Sequence, residues 1–163
     1  MRQFRHILIL SAWALPMLAS CSDTCEQNQN ALPSAGFYAV DAEGQARSVT
    51  TDSVAVVGVG LETDSLLSPT TAQISELYMP FRIDTDRTQY VFVATSQQRE
   101  VRDTVTFDYT RVLRFASAEC GVSYVFHIHD ISTQGTLIDS VVCPKGFIDN
   151  TSGENLRIYF RTE

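Results

Sequence analysis

The sequence predicts an all-β domain, an immunoglobulin-like antiparallel β-sandwich of about seven to nine short strands. Short runs rich in valine, threonine and aromatic residues recur along the chain, and turn residues separate them. Two of these runs, Val101 to Tyr109 and Cys120 to Ile131, alternate apolar with polar residues, which is the pattern of half-buried antiparallel strands. No window carries an apolar stripe of 3.6-residue period over a helical length, so helices are not predicted.

The predicted strands follow one another from residue 37 to residue 160. Turns are predicted at Asp41 to Gly44 and at Asp84 to Asp86, where aspartate and glycine favour tight backbone bends, and a longer loop is predicted from Pro144 to Asn155. The stretches that contain the strands are Phe37 to Val40, Ser48 to Gly60, Ile74 to Phe81, Thr88 to Thr95, Val101 to Tyr109, Cys120 to Ile131, Leu137 to Cys143 and Leu156 to Phe160.

Alternation also assigns faces to two of these strands, because successive side chains of a strand point to opposite sides. The apolar face of the first comprises Val105, Phe107 and Tyr109. The apolar face of the second comprises Val122, Tyr124, Phe126 and Ile128. We expect both faces to point towards the core.

The N-terminal segment is typical of a targeting signal. Arg2 and Arg5 precede the apolar run Ile7 to Leu18, which at about a dozen residues is shorter than the roughly 20 that a membrane-spanning helix needs. The tripeptide Leu-Ala-Ser directly before Cys21 resembles a bacterial lipobox, so we predict that Cys21 is lipidated and becomes the first mature residue. Ordinary secretion with a cut nearby is the alternative.

The chain therefore divides into a lipoprotein signal peptide at residues 1–20, a lipidated N-terminus with a polar tether at residues 21–34, and the β-sandwich domain at residues 35–163. Two of the 12 basic residues lie in the signal, so acidic residues outnumber basic ones by 19 to 10 in the remainder. This balance argues against binding to nucleic acid or to an anionic membrane through charge. Attachment to the membrane is expected to come from the lipid, and Ser22 after the lipidated cysteine favours the outer membrane.

Three further cysteines, Cys25, Cys120 and Cys143, are available to form disulfides, which an exported location permits. Three thiols allow one bridge, and their spacing does not choose among the three pairings. Three reduced cysteines, buried as small apolar side chains, are the alternative.

Several short motifs in a fixed order resemble a family of small Bacteroidota lipoproteins known only as a domain of unknown function. They are Cys25 close behind the lipobox, Met79 to Ile83, Thr88 to Phe92, Asp103 to Thr110, Cys120-Gly121 and Ile158-Tyr159. The resemblance spans most of residues 21–163. It implies that Cys25 and Cys120 are the paired cysteines, and Cys143 departs from the family pattern. It implies no activity and no cofactor.

Four triplets of aspartate, a hydroxyl residue and an apolar residue are similar to the Bacteroidota O-glycosylation signal. Their hydroxyl residues are Ser53, Ser65, Thr104 and Ser140. A glycan needs an exposed hydroxyl, and Ser53 and Ser65 are the preferred sites. The alternative is that Asp-Ser and Asp-Thr pairs begin strands after turns, which an all-β fold already predicts.

His127 and His129 are the only histidines beyond the signal. At i and i+2 of a strand they share a face, and with a third ligand they could hold Zn²⁺. A solvent-facing pair is the favoured interpretation, so no metal and no other cofactor is predicted. The run Asp84 to Thr88 matches the Asp-x-Asp-x-Thr of aspartate-nucleophile phosphatases, but that chemistry needs a doubly wound α/β sheet, and a hairpin turn is favoured instead.

The sequence thus predicts a non-enzymatic, outer-membrane-anchored lipoprotein that is a structural or accessory component of a cell-envelope assembly, with an envelope protein as partner. The alternative is a glycan-binding module of a surface uptake system, in which sugars stack on Tyr38, Tyr78 or Tyr90. A hydrolase or metal-binding enzyme built on the histidine pair is the third and weakest interpretation. A solvent-exposed row of tyrosines on one sheet would favour glycan binding, and a long unpaired apolar edge would favour a protein partner.

Overall fold

A computed structural model describes residues 30–41, 43–51, 53–60, 62–96, 99–117, 121–149 and 153–161. Within these ranges the secondary structure consists of strands, and no helix long and apolar enough to cross a membrane occurs there. The strands are β1 (Ser34–Val40), β2 (Ala46–Ser48), β3 (Val54–Gly58), β4 (Ser65–Ser68), β5 (Glu76–Tyr78), β6 (Arg87–Ser96), β7 (Arg99–Ser117), β8 (Gly121–Gln134), β9 (Ile138–Val142), β10 (Phe147–Ile148) and β11 (Leu156–Phe160).

The strands form two sheets. In the five-stranded sheet the order is β2-β1-β11-β9, and β5 also pairs with β1. In the six-stranded sheet the order is β10-β8-β7-β6-β3-β4. All of these pairs are antiparallel except β1 with β11, which run parallel.

The core between the sheets is rich in aromatic rings. Phe81 stacks on Tyr109 with 4.9 Å between ring centroids, and it meets Phe107 at 5.0 Å and Phe126 at 5.3 Å. Offset and edge-on contacts of this kind stabilise a core beyond the area that they bury. Phe81 lies in the chain between β5 of one sheet and β6 of the other. The crossover from β5 to β6 is therefore packed into the core.

The predicted all-β sandwich is confirmed, and its details differ in two respects. The described part of the chain contains eleven strands rather than seven to nine, because pairings as short as that of β10 within the predicted loop from Pro144 to Asn155 are too brief to show a sequence period. In addition, β7 spans 19 residues and β8 spans 14, so the central hairpin is far longer than the short strands expected.

The predicted faces of this hairpin are correct only in part. Val105, Phe107 and Tyr109 are all buried in the core. On β8, Phe126 is fully buried, but Val122 is exposed. The reason is that β6 pairs with β7 only as far as Asp108, so the outer end of the hairpin extends beyond the sandwich.

This outer end, residues 112–117 of β7 and 121–125 of β8, is called the hairpin arm below. Its cross-strand partners run from the pair Val112 and Val125 to the pair Ser117 and Gly121, and no other strand of the described chain pairs with it. The N-terminal segment joins it at one point. The Ala31 N–H donates to the Tyr124 carbonyl at 2.9 Å, and the Tyr124 N–H donates to Oδ1 of Asn30 at 2.9 Å.

Candidate interaction surfaces

Three tyrosines lie on the outer face of the five-stranded sheet. Tyr38 on β1 is the cross-strand partner of Tyr159 on β11, with 5.6 Å between their ring centroids. Tyr78 on β5 is 59% exposed and is the partner of Ser34 on the same β1 strand. The residues that alternate with them, such as Phe37, are buried in the core, so these rings point outward. We call this surface the tyrosine face.

An acid and a base complete the tyrosine face. The Tyr38 hydroxyl donates to Oε2 of Glu154 at 2.5 Å, and Nε of Arg157 donates to the other carboxylate oxygen at 2.7 Å. The Arg157 guanidinium carbon also lies 5.7 Å from the centroid of the Tyr38 ring, in cation–π range. The Tyr38 ring, the Glu154 carboxylate and the Arg157 guanidinium are therefore linked to one another.

These contacts change the acidity of the groups involved. The pKa of Tyr38 is raised, first because its hydroxyl proton is donated to the Glu154 carboxylate and second because the group is partly desolvated. The pKa of Arg157 is also raised, because the ion pair with Glu154 favours the charged guanidinium. The tyrosine face thus presents the neutral Tyr38 phenol beside the Arg157–Glu154 ion pair at neutral pH.

Glycine at position 36 makes room for this arrangement. Gly36 is on β1, next to Arg157 on β11. A Cβ built at this position would lie 1.9 Å from Oε2 of Glu154, a distance that no real Cβ contact shows. The absence of a side chain here lets the Glu154 carboxylate lie against the sheet and reach Tyr38.

A second surface is the apolar side of the hairpin arm. Leu113, Phe115 and Val122 are 54%, 69% and 52% exposed. Leu113 pairs with Tyr124, and Phe115 pairs with Val122, so all four side chains lie on the side of the hairpin that forms the core further along. A core-like surface therefore continues past the edge of the sandwich, and no strand among the described ranges packs over it.

A third surface is the connection from β5 to β6. The Tyr109 hydroxyl donates to the Arg82 carbonyl at 2.8 Å and shares a hydrogen bond with Thr88 at 2.6 Å. Arg82 also binds Asp84 through two hydrogen bonds, which lower the pKa of the Asp84 carboxyl. Arg111 binds Asp86 at 2.8 Å. Both aspartates of the phosphatase-like run are thus ion-paired, and the run is a crossover between sheets rather than the predicted hairpin turn.

A shallow cleft lies beside this connection. Its volume is about 280 Å³, slightly below the range of about 300 to 1,000 Å³ of typical ligand pockets. Arg82, Leu67 and Gly60 are among its lining residues. Tyr90 also borders it, but its ring is buried and its hydroxyl donates to the Pro80 carbonyl at 2.5 Å. Tyr90 is therefore a core residue and not one of the exposed tyrosines.

The two histidines are exposed on the outer face of the six-stranded sheet. His129 is the extra residue of a β-bulge, because Asp108 pairs with Asp130 and the next residue of β7 pairs with Ile128. Its Nε2 lies 2.5 Å from the Thr110 hydroxyl, and Thr110 is the cross-strand partner of His127. Among the described residues, no three histidine, cysteine or acidic side chains are grouped to hold a metal ion.

Of the four cysteines beyond the predicted signal, only Cys143 lies within the described residues. Cys21, Cys25 and Cys120 lie outside them, so the lipidation and the disulfide stay predictions. Cys143 carries a free thiol that is about half-buried, and this burial raises its pKa. A buried thiol with a raised pKa is a weak nucleophile.

The four candidate glycosylation sites differ in exposure. Ser53 and Ser65 are exposed, whereas Thr104 and Ser140 are half-buried. Thr104 follows Asp103, which is fully buried and accepts three backbone N–H groups at the start of β9. In that triplet the aspartate has a structural role.

Sequence reasoning missed Asp103, Glu154 and Arg157 as important residues. Asp103 stands two residues before Val105 on the apolar face of its strand, so its parity could have revealed a buried carboxylate. Arg157 and Tyr159 alternate with the buried residues of β11, which marks them as an outward pair. Glu154 precedes β11, and no sequence signal links it to Tyr38.

The fold and these surfaces define a small two-sheet β domain with tyrosine, arginine and apolar side chains displayed on its outside. The chain belongs to a family of unknown function, DUF6452, whose model matches residues 53–160. The match covers β3 to β11 and leaves out β1 and β2. No curated protein and no solved structure matches the chain.

Proposed function

We propose that this protein is a non-enzymatic lipoprotein, anchored in the outer membrane of a Bacteroidota cell through Cys21, and that it is an accessory component of an envelope assembly. The lipobox and Ser22, directly after the predicted lipidated cysteine, support this location. Residues 30 and 31, which belong to the predicted tether, bind to Tyr124. The domain is therefore attached to its lipid by at most about 30 Å of chain between Cys21 and Asn30, and a disulfide at Cys25 would shorten this distance.

The tyrosine face is the surface that we propose contacts the partner, and its composition carries the proposal. Tyrosine and arginine are enriched among the residues that dominate protein interfaces. Tyr38 and Arg157 are already fixed by Glu154, so little side-chain entropy is lost when a partner covers them. Tyr159 and the exposed Tyr78 extend the surface on either side of Tyr38.

Crosslinking in the native membrane tests this role. The tagged lipoprotein is purified in detergent after mild crosslinking, beside the variants Tyr159→Ser and Arg157→Gln. A stoichiometric protein that is recovered with the parent chain and with Arg102→Gln, a control for an exposed residue of the other sheet, but not with the two variants, supports the proposal. Equal recovery with all four chains would place the partner elsewhere.

Glycan binding is the second candidate, because the same face carries the row of tyrosines that stacking of sugars needs. Tyr38 and Tyr159 are neighbours on a flat sheet surface, and Glu154 and Arg157 supply hydrogen-bonding groups for sugar hydroxyls. The mature chain offers no tryptophan for this purpose, since the one tryptophan, Trp13, lies in the signal.

An oligosaccharide array distinguishes the two candidates. Binding of a sugar by the parent chain, lost in Tyr159→Ser and kept in Arg102→Gln, would establish the glycan module. A blank array together with a crosslinked protein partner would establish the accessory role.

Two covalent features accompany the proposal. A disulfide between Cys25 and Cys120 is supported by the contact of Asn30 with Tyr124, because the cysteines precede these residues by five and four positions. O-glycosylation is proposed at Ser53 and Ser65, the two exposed candidates. The intact mass of the protein from its native membrane, compared with Ser53→Ala and Ser65→Ala, tests the glycans. A parent mass that exceeds the polypeptide by the lipid alone would refute them.

A further inference from the structure

The hairpin arm presents an apolar surface that no strand of the described residues covers. Phe115, Leu113 and Val122 are each more than half exposed, and they are neighbours because Phe115 pairs with Val122 and Leu113 with Tyr124. A two-stranded ribbon with uncovered apolar side chains has little stability of its own in water. An apolar cluster of this kind on a soluble domain marks a contact surface.

The position of the N-terminal segment identifies what that surface contacts. Asn30 and Ala31 bind Tyr124, which is a residue of the arm. Asn30 lies nine positions after Cys21, and even fully extended this stretch spans only about 30 Å. The chain thus enters the domain at the arm, and the lipid lies within a short distance of it.

The local charge agrees with this position. The mature chain is strongly acidic, but the whole stretch of residues 112–125 includes one arginine, Arg114, and one acidic residue, Glu119, so it carries no net charge. The arm is therefore a part of the protein that an anionic lipid surface does not repel. Three apolar side chains are also too few for a stable protein interface, which needs roughly 1,000 Å² of buried surface.

We propose that the apolar side of the hairpin arm docks into the boundary between the headgroups and acyl chains of the bilayer that holds Cys21. Leu113, Phe115 and Val122 enter the bilayer, and Arg114, on the opposite side of the ribbon, stays with the headgroups. The lipid fixes where the domain is, and the arm fixes how it is tilted. This inference rests on the lipid anchor of the proposed function.

The tryptophan content of the chain provides the test. Because Trp13 lies in the signal, a tryptophan introduced into the mature lipoprotein is the sole indole. Phe115→Trp places it on the arm, and Leu66→Trp is the matched control, since Leu66 is 62% exposed on β4 of the same sheet and far along the chain from the arm. Each lipoprotein is purified from membranes and reconstituted into vesicles of phosphatidylethanolamine and phosphatidylglycerol, with and without brominated acyl chains.

The expected result is a blue-shifted emission from Phe115→Trp that brominated lipid quenches several-fold more strongly than the emission of Leu66→Trp. Equal quenching of the two variants would overturn the inference. Emission of Phe115→Trp that is shielded in native membranes but not in vesicles would also overturn it, because a protein then covers the arm.

Mass spectrometry of the N-terminal peptide separates the two ways of failing. An unmodified Cys21 refutes the lipid anchor, and the docking inference fails with it. An acylated Cys21 with no quenching of Phe115→Trp refutes the docking alone and leaves the lipoprotein proposal in place.

Discussion

The Asp103 carboxylate accepts the backbone N–H of Ile138 at 2.7 Å from within the core. It also accepts the N–H groups of Thr136 and Leu137, at 2.9 and 2.8 Å. These three N–H groups lie at the first residue of β9 and the two residues before it, and β9 belongs to the five-stranded sheet. Asp103 lies on β7 of the six-stranded sheet. One buried side chain therefore fixes the point at which the chain leaves β8 and crosses between the sheets.

We expect Asp103→Ala to lower the free energy of unfolding by about 3 kcal/mol, because it leaves one buried and two partly buried N–H groups without an acceptor. Asp130→Ala, an exposed position on β8, is the control and should change stability by no more than about 0.5 kcal/mol. Urea unfolding followed by circular dichroism measures both. Similar midpoints for the two variants would show that Asp103 does not hold the crossover.

Gly135 is the second constraint on this crossover. Its φ angle is +138°, which L side chains rarely adopt, and a Cβ there would lie 2.0 Å from Oδ1 of Asp103. Gly135→Ala should therefore destabilise the protein by about 2 kcal/mol more than Gly44→Ala. Gly44 is the matched control, since it also has a positive φ but no atom within 4 Å of the position of a Cβ. Equal losses of melting temperature would contradict the role of the close contact.

The hydrogen bond from Tyr38 to Glu154 predicts a dependence on alkaline pH. The pKa of Tyr38 is raised in the folded protein above its usual value of about 10. A group with a raised pKa contributes stability below its unfolded pKa and loses that contribution as the pH rises through its folded pKa. The tyrosinate absorbance of the parent chain, titrated beside Tyr38→Phe, identifies the contribution of this phenol.

In Glu154→Gln the same phenol should ionise at a lower pH, because the carboxylate that holds its proton is gone. Glu62→Gln, an exposed position outside the tyrosine face, is the control and should leave the titration unchanged. An unaltered Tyr38 titration in Glu154→Gln would show that burial, and not the hydrogen bond, is the cause.

Peptide mapping without reductant tests the disulfide. The expected link joins Cys25 to Cys120, because Asn30 and Tyr124 are hydrogen-bonded close to them along the chain and Cys143 carries a free, half-buried thiol. The bridge would close a loop of about 95 residues and add roughly 4–5 kcal/mol in the chain-entropy model. A peptide that links Cys143 to either cysteine would refute this pairing.

The alternation of β7 made its buried face predictable, since Val105, Phe107 and Tyr109 repeat every second residue and all lie in the core. The same rule predicted that Val122 is buried in the core, but Val122 is exposed. Periodicity reports which side of a strand is apolar, but it does not report where the opposing sheet ends. The covered part of β7 ends at Asp108, which pairs with Arg87, the first residue of β6. Only the tertiary structure shows that pairing.

The tyrosine face was predictable as a list of exposed aromatic candidates but not as a site. Tyr38 and Tyr78 were proposed for it, yet Glu154 is 116 residues from Tyr38, and the parallel pairing of β1 with β11 brings them together. Nothing local in the sequence specifies that pairing. Asp103 is different, because its position on the apolar face of β7 already indicated a buried carboxylate in the sequence. The sequence analysis did not draw that conclusion.

The pairing of β1 with β11 has a consequence for the order of assembly. In the six-stranded sheet, β6, β7 and β8 follow one another closely along the chain and can pair as the chain lengthens. In the other sheet, β11 lies between β1 and β9. The first described strand, β1, can therefore complete its pairing only after the last one, β11, has been synthesised. Such distant pairing slows folding, and it means that the domain completes itself only when residues 156–160 are present. Shortening the chain by this one strand would separate β1 from β9 and leave the aromatic core open on one side.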